Sequence, residues 1–348
     1  MDTCAEAFDY VVATTSRSNN YIYMRQNYCN ENLSSFAETV QLVESYVREE
    51  IVRETNNKQL YYHTLDHALA VQRRAKEIFQ KIQFELSRDE SGKKLERLKS
   101  LTSLCGLAHD MVQLFHPSAR VNSSRKHISE LSERETANKL LRYIQKLNRE
   151  LATYKIEPSS LFDDRDLQII QDAIGATICK LDPLPSKGNY SYSSHSIYQP
   201  YLYDSQPKIS VVGSIIALAD LGTLGMEGIE KYIQDGILIF LEDNLDLKEL
   251  ILYGELSNLD CEMVRLRLLA MARFMVSFAH ERYARFELEI SGFSPAIRQI
   301  FRDRIFVYLN LDNIASIEEI VPTQDNASLP KLIDFFRLDK NYLPTSSK

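Results

Sequence analysis

Apolar residues return at every third or fourth position through most of this chain, and that spacing commits it to packed helices. Phe36, Val40, Val43, Val47 and Ile51 make one stripe, and Ala68, Val71, Ala75, Ile78, Phe79 and Ile82 make another. The apolar–polar alternation of a half-buried strand forms no convincing run anywhere. The expected fold class is all-α. Further helices are expected at about 95–110, 130–152, 164–181, 209–224, 227–242, 246–256, 259–289 and 294–309. Ser129 and Asp164 stand as caps before two of them, and Ser294-Pro295 opens the last.

With 348 residues, 44% of them hydrophobic, the chain can bury a large core. Residues 1–34, rich in Asn, Ser, Thr and Tyr, read as a loosely held N-terminal arm, 35–310 as a single helical domain, and 311–348 as a C-terminal tail. Leu332, Ile333, Phe335 and Phe336 are expected to dock that tail on the body, and the long C-terminal helices offer a surface for oligomerisation. Residues 182–210 break the helical pattern with Pro183, Pro185, Pro200 and Pro207 and the tyrosines 190, 192, 198, 201 and 203. Such a stretch is either a lid over a ligand or a disordered insertion.

A net charge of −7 gives no basic footprint, so neither nucleic acid nor an anionic membrane is an expected general partner. The apolar run from Ile209 to Leu221 is shorter than the roughly 20 residues a bilayer requires. The N-terminus lacks the basic and apolar regions of a signal peptide, and the five cysteines are scattered with no C-x-x-C pair. A cytoplasmic protein without a disulfide framework is expected.

Chemistry concentrates in Tyr62-His63-Thr64-Leu65-Asp66-His67-Ala68 and in Leu107-Ala108-His109-Asp110. His67 shares a helical face with Val71, Ala75 and Ile78, and His109 follows Leu101 and Cys105 at helical spacing. Asp220 stands alone among the apolar residues of Ile215-Ile216-Ala217-Leu218-Ala219. An inward carboxylate is costly without a counter-charge, and a cation satisfies it. His67, His109, Asp110 and Asp220 together supply two imidazoles and two carboxylates, suited to Mn, Fe, Ni, Zn or Mg, as one ion or two. Such a site lowers the pKa of bound water to near neutrality. Each residue has an ordinary alternative, a hydrogen-bonded core histidine or a helix-packing acid. The joint order H…HD…D on apolar faces is what favours the metal.

In that order the chain resembles the HD-domain superfamily of metal-dependent phosphohydrolases, over about residues 60–225. The resemblance implies a helical bundle with His67, His109, Asp110 and Asp220 as metal ligands. Tyr62-His63 followed by His67-Ala68 and Val71 is further similar to the Y-H-N-x-x-H-A-x-x-V segment of the cyclic-nucleotide phosphodiesterases in that superfamily. That similarity implies His63 as the acid protonating the leaving oxygen; a surface position at a helix start is the alternative. Those enzymes continue with D-H-P-G, whereas here Met111 to Phe115 intervene before His116-Pro117, so His116 is either a displaced site residue or a surface one. Thr177, in a stretch similar to the I-x-x-T of some HD sites, is read as core or pocket wall.

Phosphate needs cations or amide donors, and Arg120, Arg125 and Lys126 follow the His-Asp pair closely. Glu133 is the acid chosen for a phosphate-side or proton-handling role, against ordinary helix-surface charge. His280 is read as structural, and His195 has no assignable partner. The leading function is a phosphohydrolase cleaving a phosphomonoester or phosphodiester, a nucleotide among the candidate substrates. The alternative is a non-catalytic HD-type module that binds or senses a nucleotide, and a di-iron oxygenase ranks below both for want of further histidines.

Overall fold

The structure is a computed structural model that describes residues 35–88, 92–116, 124–181, 197–203, 209–253 and 258–338. The arm 1–34, Arg120, His195, most of the Tyr- and Pro-rich stretch and the end of the tail lie outside the described residues. The fold is all-α, with thirteen α-helices among the described residues. They are α1 Phe36–Lys58, α2 Leu65–Leu86, α3 Gly92–Ala108, α4 Leu131–Thr153, α5 Asp164–Gly175, α6 Val211–Asp220 and α7 Thr223–Glu227. There follow α8 Ile229–Asp243, α9 Leu245–Tyr253, α10 Asn258–Glu289, α11 Pro295–Ile300, α12 Leu311–Ile320 and α13 Leu329–Phe335. None is long and apolar enough to cross a membrane.

The helices pack as two apolar groups. The expected stripes of α1 and α2 join Leu101, Leu104 and Leu107 of α3, Leu140 of α4, Ile170 of α5 and Ile215 of α6 in the first. The second gathers α8, α10, α12 and α13 around Leu268, Ile317, Leu332 and Phe336. The tail, as far as Leu338, thus docks through the patch its sequence displays, and His280 of α10 bonds Glu318 of α12 at 2.8 Å.

Among the described residues, α2 and α3 make the most extensive helix–helix contact. A Cβ on Gly106 would stand 3.0 Å from the Gln72 Cα and 3.3 Å from the Ala75 Cβ, tighter than ordinary contact, so glycine suits the close approach of the two backbones there. Beside that contact the Gln72 amide donates to Glu44 of α1 (2.9 Å) and to the Ser103 carbonyl of α3 (3.2 Å). Three helices are thereby locked one turn from His67 and His109.

Several expected boundaries shift for local reasons. α4 opens at Glu130, which adopts φ 70°, while the Ser129 hydroxyl is turned to the Cys179 carbonyl at 2.5 Å instead of capping. α5 is capped by Asp163, not Asp164, in a capping box with Asp166. Ser294 does cap α11, but the helix passes into a single π turn at Phe301–Ile305. The expected helix 209–224 breaks after Asp220, where Arg74 collects the last carbonyls: Nε donates to Ala219 O at 2.6 Å and a terminal nitrogen to Asp220 O at 3.4 Å. Arg74 is itself buried and paired with Glu227. Among the described residues there is also one minimal strand pair, β1 Lys180–Leu181 against β2 Ile197–Tyr198, which no alternation in the sequence announces.

Substituting Gly106 tests the α2–α3 contact. Gly106→Val must push the helices apart and is expected to cost about 2 kcal/mol in urea unfolding. Wild-type stability in that variant would show that the close approach is dispensable.

Candidate metal centre

α2, α3 and α6 each deliver one part of a four-residue cluster. Thr64, extended, starts α2 so that His67 lies on its first inward turn. α3 ends at Ala108, and its next two residues, His109 and Asp110, turn into the space that α2 leaves. Asp220 ends α6, whose start is fixed by the Asp172 carboxylate accepting from the Ser210 amide at 2.6 Å. Ligand atoms of His67, His109, Asp110 and Asp220 all lie within 4.8 Å of one another.

The geometry is that of donors facing one point. His109 Nε2 lies 3.3 Å from His67 Nε2, 3.0 Å from Asp110 Oδ2 and 3.5 Å from Asp220 Oδ1. His67 Nε2 lies 3.4 Å from Asp110 Oδ2 and 3.8 Å from Asp220 Oδ1. His109 donates its Nδ1–H to the Gly106 carbonyl at 3.0 Å, which orients its Nε2 toward the cluster. Two nitrogens and two carboxylate oxygens, both histidines buried, form a group that can hold a divalent cation.

The charges agree with that reading. Burial alone would lower His109, but Asp110 and Asp220 outweigh it and lift the imidazole to about 10. Burial keeps His67 below its ordinary value. Asp110, which burial alone would raise, is held well below the carboxylate range by His109 and His63. A proton on His109 thus occupies the place of positive charge that a cation would take.

Around the cluster stand residues the sequence reading only partly found. His63 points Nε2 at Asp110 Oδ2 (3.7 Å), and its Nδ1–H donates to Glu242. The other oxygen of Glu242 accepts the amides of Tyr61, Tyr62 and His63 at 2.9, 2.9 and 3.1 Å. His63 is raised to about 9, because Glu242 and Asp110 outweigh its burial, while Glu242 falls to about 2 despite burial. His127 stacks on His63 at 5.9 Å, and burial with that neighbouring charge lowers it to about 4. Its Nε2 meets the Ser132 hydroxyl at 2.9 Å.

Gln199, fully buried, donates to Asp220 Oδ2 at 3.0 Å, so the described part of the 182–210 stretch buttresses a cluster residue. Glu242 and Gln199 sit in no motif, and only the fold brings them to the site.

The phosphate candidates divide. Arg125 is spent on structure: its guanidinium donates to the carbonyls of Lys58, Gln59 and Glu242, tying the ends of α1 and α8 together. Lys126, Glu133 and Thr177 line a cavity of about 660 Å³ that opens onto His63, Asp110 and Asp220. Glu133 is buried, with Oε2 lacking a protein partner, and burial raises it to about 7. His116 is exposed, outside the cavity lining. Arg282, which the sequence reading passed over, also lines the cavity; it is buried and paired with Glu289, and its Nε lacks a partner.

Comparison with protein-family models, with curated proteins and with solved structures found no match.

Two outcomes check the electrostatics. Metal uptake at pH 8 is expected to release about one proton, from His109, measured by calorimetry in buffers of different ionisation enthalpy; no release would mean that His109 is already neutral. Glu133, raised from 4.5 to about 7, favours folding fully below 4.5, and that contribution is lost as pH rises through 7. In chelator-treated protein Glu133→Gln should therefore gain roughly 3 kcal/mol on the wild type between acid and mildly alkaline pH in urea unfolding. A pH-independent difference would place the Glu133 carboxylate in water.

Proposed function

We propose that the chain is a metal-dependent phosphohydrolase of the HD type, cleaving a phosphomonoester or phosphodiester. The observation that carries the reading is the convergence of His67, His109, Asp110 and Asp220, with Asp110 and Asp220 lining a cavity that His63 also lines. A divalent cation held by those four would polarise the phosphoryl group and make a water nucleophilic near neutral pH.

The chain's own residues supply the remaining steps. His63 retains its proton at neutral pH, since Glu242 and Asp110 hold it at about 9, and Nε2, which faces Asp110, is the atom from which a leaving oxygen would take it. Glu242 keeps that ring in place through Nδ1 and keeps it charged. His127, at about 4, stays neutral beside it, so the stacked pair places one proton donor and one proton acceptor at the cavity wall. Lys126 and Lys180 are cavity cations for an anionic substrate, while Arg282, paired with Glu289, offers its unpartnered Nε.

Asp110→Ala is expected to lose the bound metal, read by plasma mass spectrometry, together with hydrolysis of a phosphoester panel. Turnover surviving without metal would sink the proposal; metal and ligand binding without turnover in the native protein would favour the non-catalytic module. His63→Asn should keep the metal and lower kcat by about 10²- to 10³-fold. In Glu242→Gln the alkaline limb of kcat should move toward neutral pH by a unit or more, because the charge that raises His63 is gone. An unmoved limb would remove His63 from the acid role.

A further inference from the structure

The cavity has two unlike parts. One part of the lining is polar, with His63, Asp110, Lys126, Glu130, Glu133, Lys180 and Asp220; the part from α8 and α10 is mostly apolar and forms an arm along α10. From α10 come Met271, Phe274, Met275 and Phe278, followed by Arg282, a spacing that lays one helical face along the wall. From Met271 to Phe278 the apolar part of that face runs roughly 10 Å at the helical rise, the reach of an extended chain of about eight carbons. Ile239 of α8 and Leu224 of α7 complete the arm.

Its aromatic rings are already stacked on one another. Phe274 lies 5.7 Å from Phe278 at 14°, and Phe278 lies 6.5 Å from Tyr232 at 15°.

The polar groups along the arm are spent internally. The Tyr232 hydroxyl donates to the Met275 carbonyl at 2.6 Å, Thr223 donates to Asp235 at 3.0 Å, and the other Asp235 oxygen pairs with Lys231 at 2.8 Å. The α10 amides that back the wall belong to the helix ladder. A purine or pyrimidine edge, or a ribose hydroxyl, entering this arm would lose its water and find no partner, which is costly for each group left unpaired. An apolar chain would lose only water that it does not bind. Two methionines in the wall add side chains that reshape readily around such a chain.

We infer that the substrate is an amphiphilic phosphoester, its phosphate at the metal cluster and its organic group an alkyl, prenyl or similar apolar chain lying along α10. The inference rests on the phosphohydrolase reading for the fate of the phosphate, and on the α8–α10 wall alone for the chain. Arg282 marks the boundary, since its unpartnered Nε is the last polar atom of the α10 face before the phenyl rings.

The test is a homologous series, butyl to decyl phosphate, offered below micelle-forming concentrations to the full-length Mn-loaded protein beside AMP, cyclic AMP and glycerol phosphate. Hydrolysis is expected to gain in kcat/KM by about 3- to 4-fold per added methylene until the arm is full, with the nucleotides far behind. A flat series, or a preference for the nucleotides, would overturn the inference and leave the phosphohydrolase standing.

A binding readout separates the two claims. The chain has no tryptophan, so Ile239→Trp places a single indole in the arm. Its emission should shift to the blue with decylphosphonate and not with methylphosphonate, and the decyl-to-butyl ratio in hydrolysis should fall. The emission shift without hydrolysis of any ester would keep the apolar arm and discard the hydrolase. Neither shift nor chain-length dependence would discard the arm; the wild-type series, which needs no variant, decides the point should Ile239→Trp fold poorly.

Discussion

The site depends on a missing side chain. Because Gly106 has no Cβ, α2 and α3 approach until backbone touches backbone at Gln72, and His67 and His109, just beyond on either helix, come within 3.3 Å of each other. The same glycine accepts the Nδ1–H of His109 through its carbonyl, so one residue sets both the separation of the two rings and the orientation of one. Gln72, Glu44 and Ser103 close the contact with hydrogen bonds that a wider spacing would break. Asp220 is brought up by a third helix, whose first turn is anchored on Asp172 and whose last carbonyls are held by Arg74.

Electrostatics then divides the labour among groups that look alike in sequence. His63 and His127 are stacked imidazoles at one cavity wall, yet Glu242 keeps the first charged and burial keeps the second neutral. Among the acids, Asp110 and Glu242 are ionised by neighbouring positive charge, whereas Glu133, buried away from cations, is lifted close to neutrality. The identity of a residue fixes what it can do; its surroundings fix which proton state it brings.

Much of this was legible in the sequence, and the limits have a physical pattern. Period-3.6 stripes located nearly every long helix, because burying a stripe is what holds a helix in place. The cluster residues His67, His109, Asp110 and Asp220 were legible because polar groups on apolar faces stand out. Helix ends were less so. Ser129 has the chemistry of a cap but is drawn to Cys179, and the break after Asp220 depends on Arg74, a residue of a helix far away in the chain. Glu242, Gln199 and Arg282 reach the site from distant elements with no local pattern, and Arg125, basic and close to the motif, is committed to carbonyls at two helix ends. Spacing records which face a residue occupies. It does not record which partner crosses over to meet it.

The second apolar group gives the site its other boundary. α10 packs with the tail helices in the second apolar group, where Leu268 and Ala279 are buried, while Phe274 and Phe278 are partly exposed and line the cavity. Gly236 of α8 meets the Met275 thioether, where any Cβ would stand 2.5 Å from its methyl carbon, so the glycine lets α8 and α10 approach closely beside the arm. A cavity built only to position a phosphate would need charge and hydrogen-bond donors on every wall. Here the wall from α10 is apolar from Met271 to Phe278, and the nearby Tyr232, Thr223 and Asp235 are already bonded within the protein, so selectivity along α10 must come from shape and from release of water.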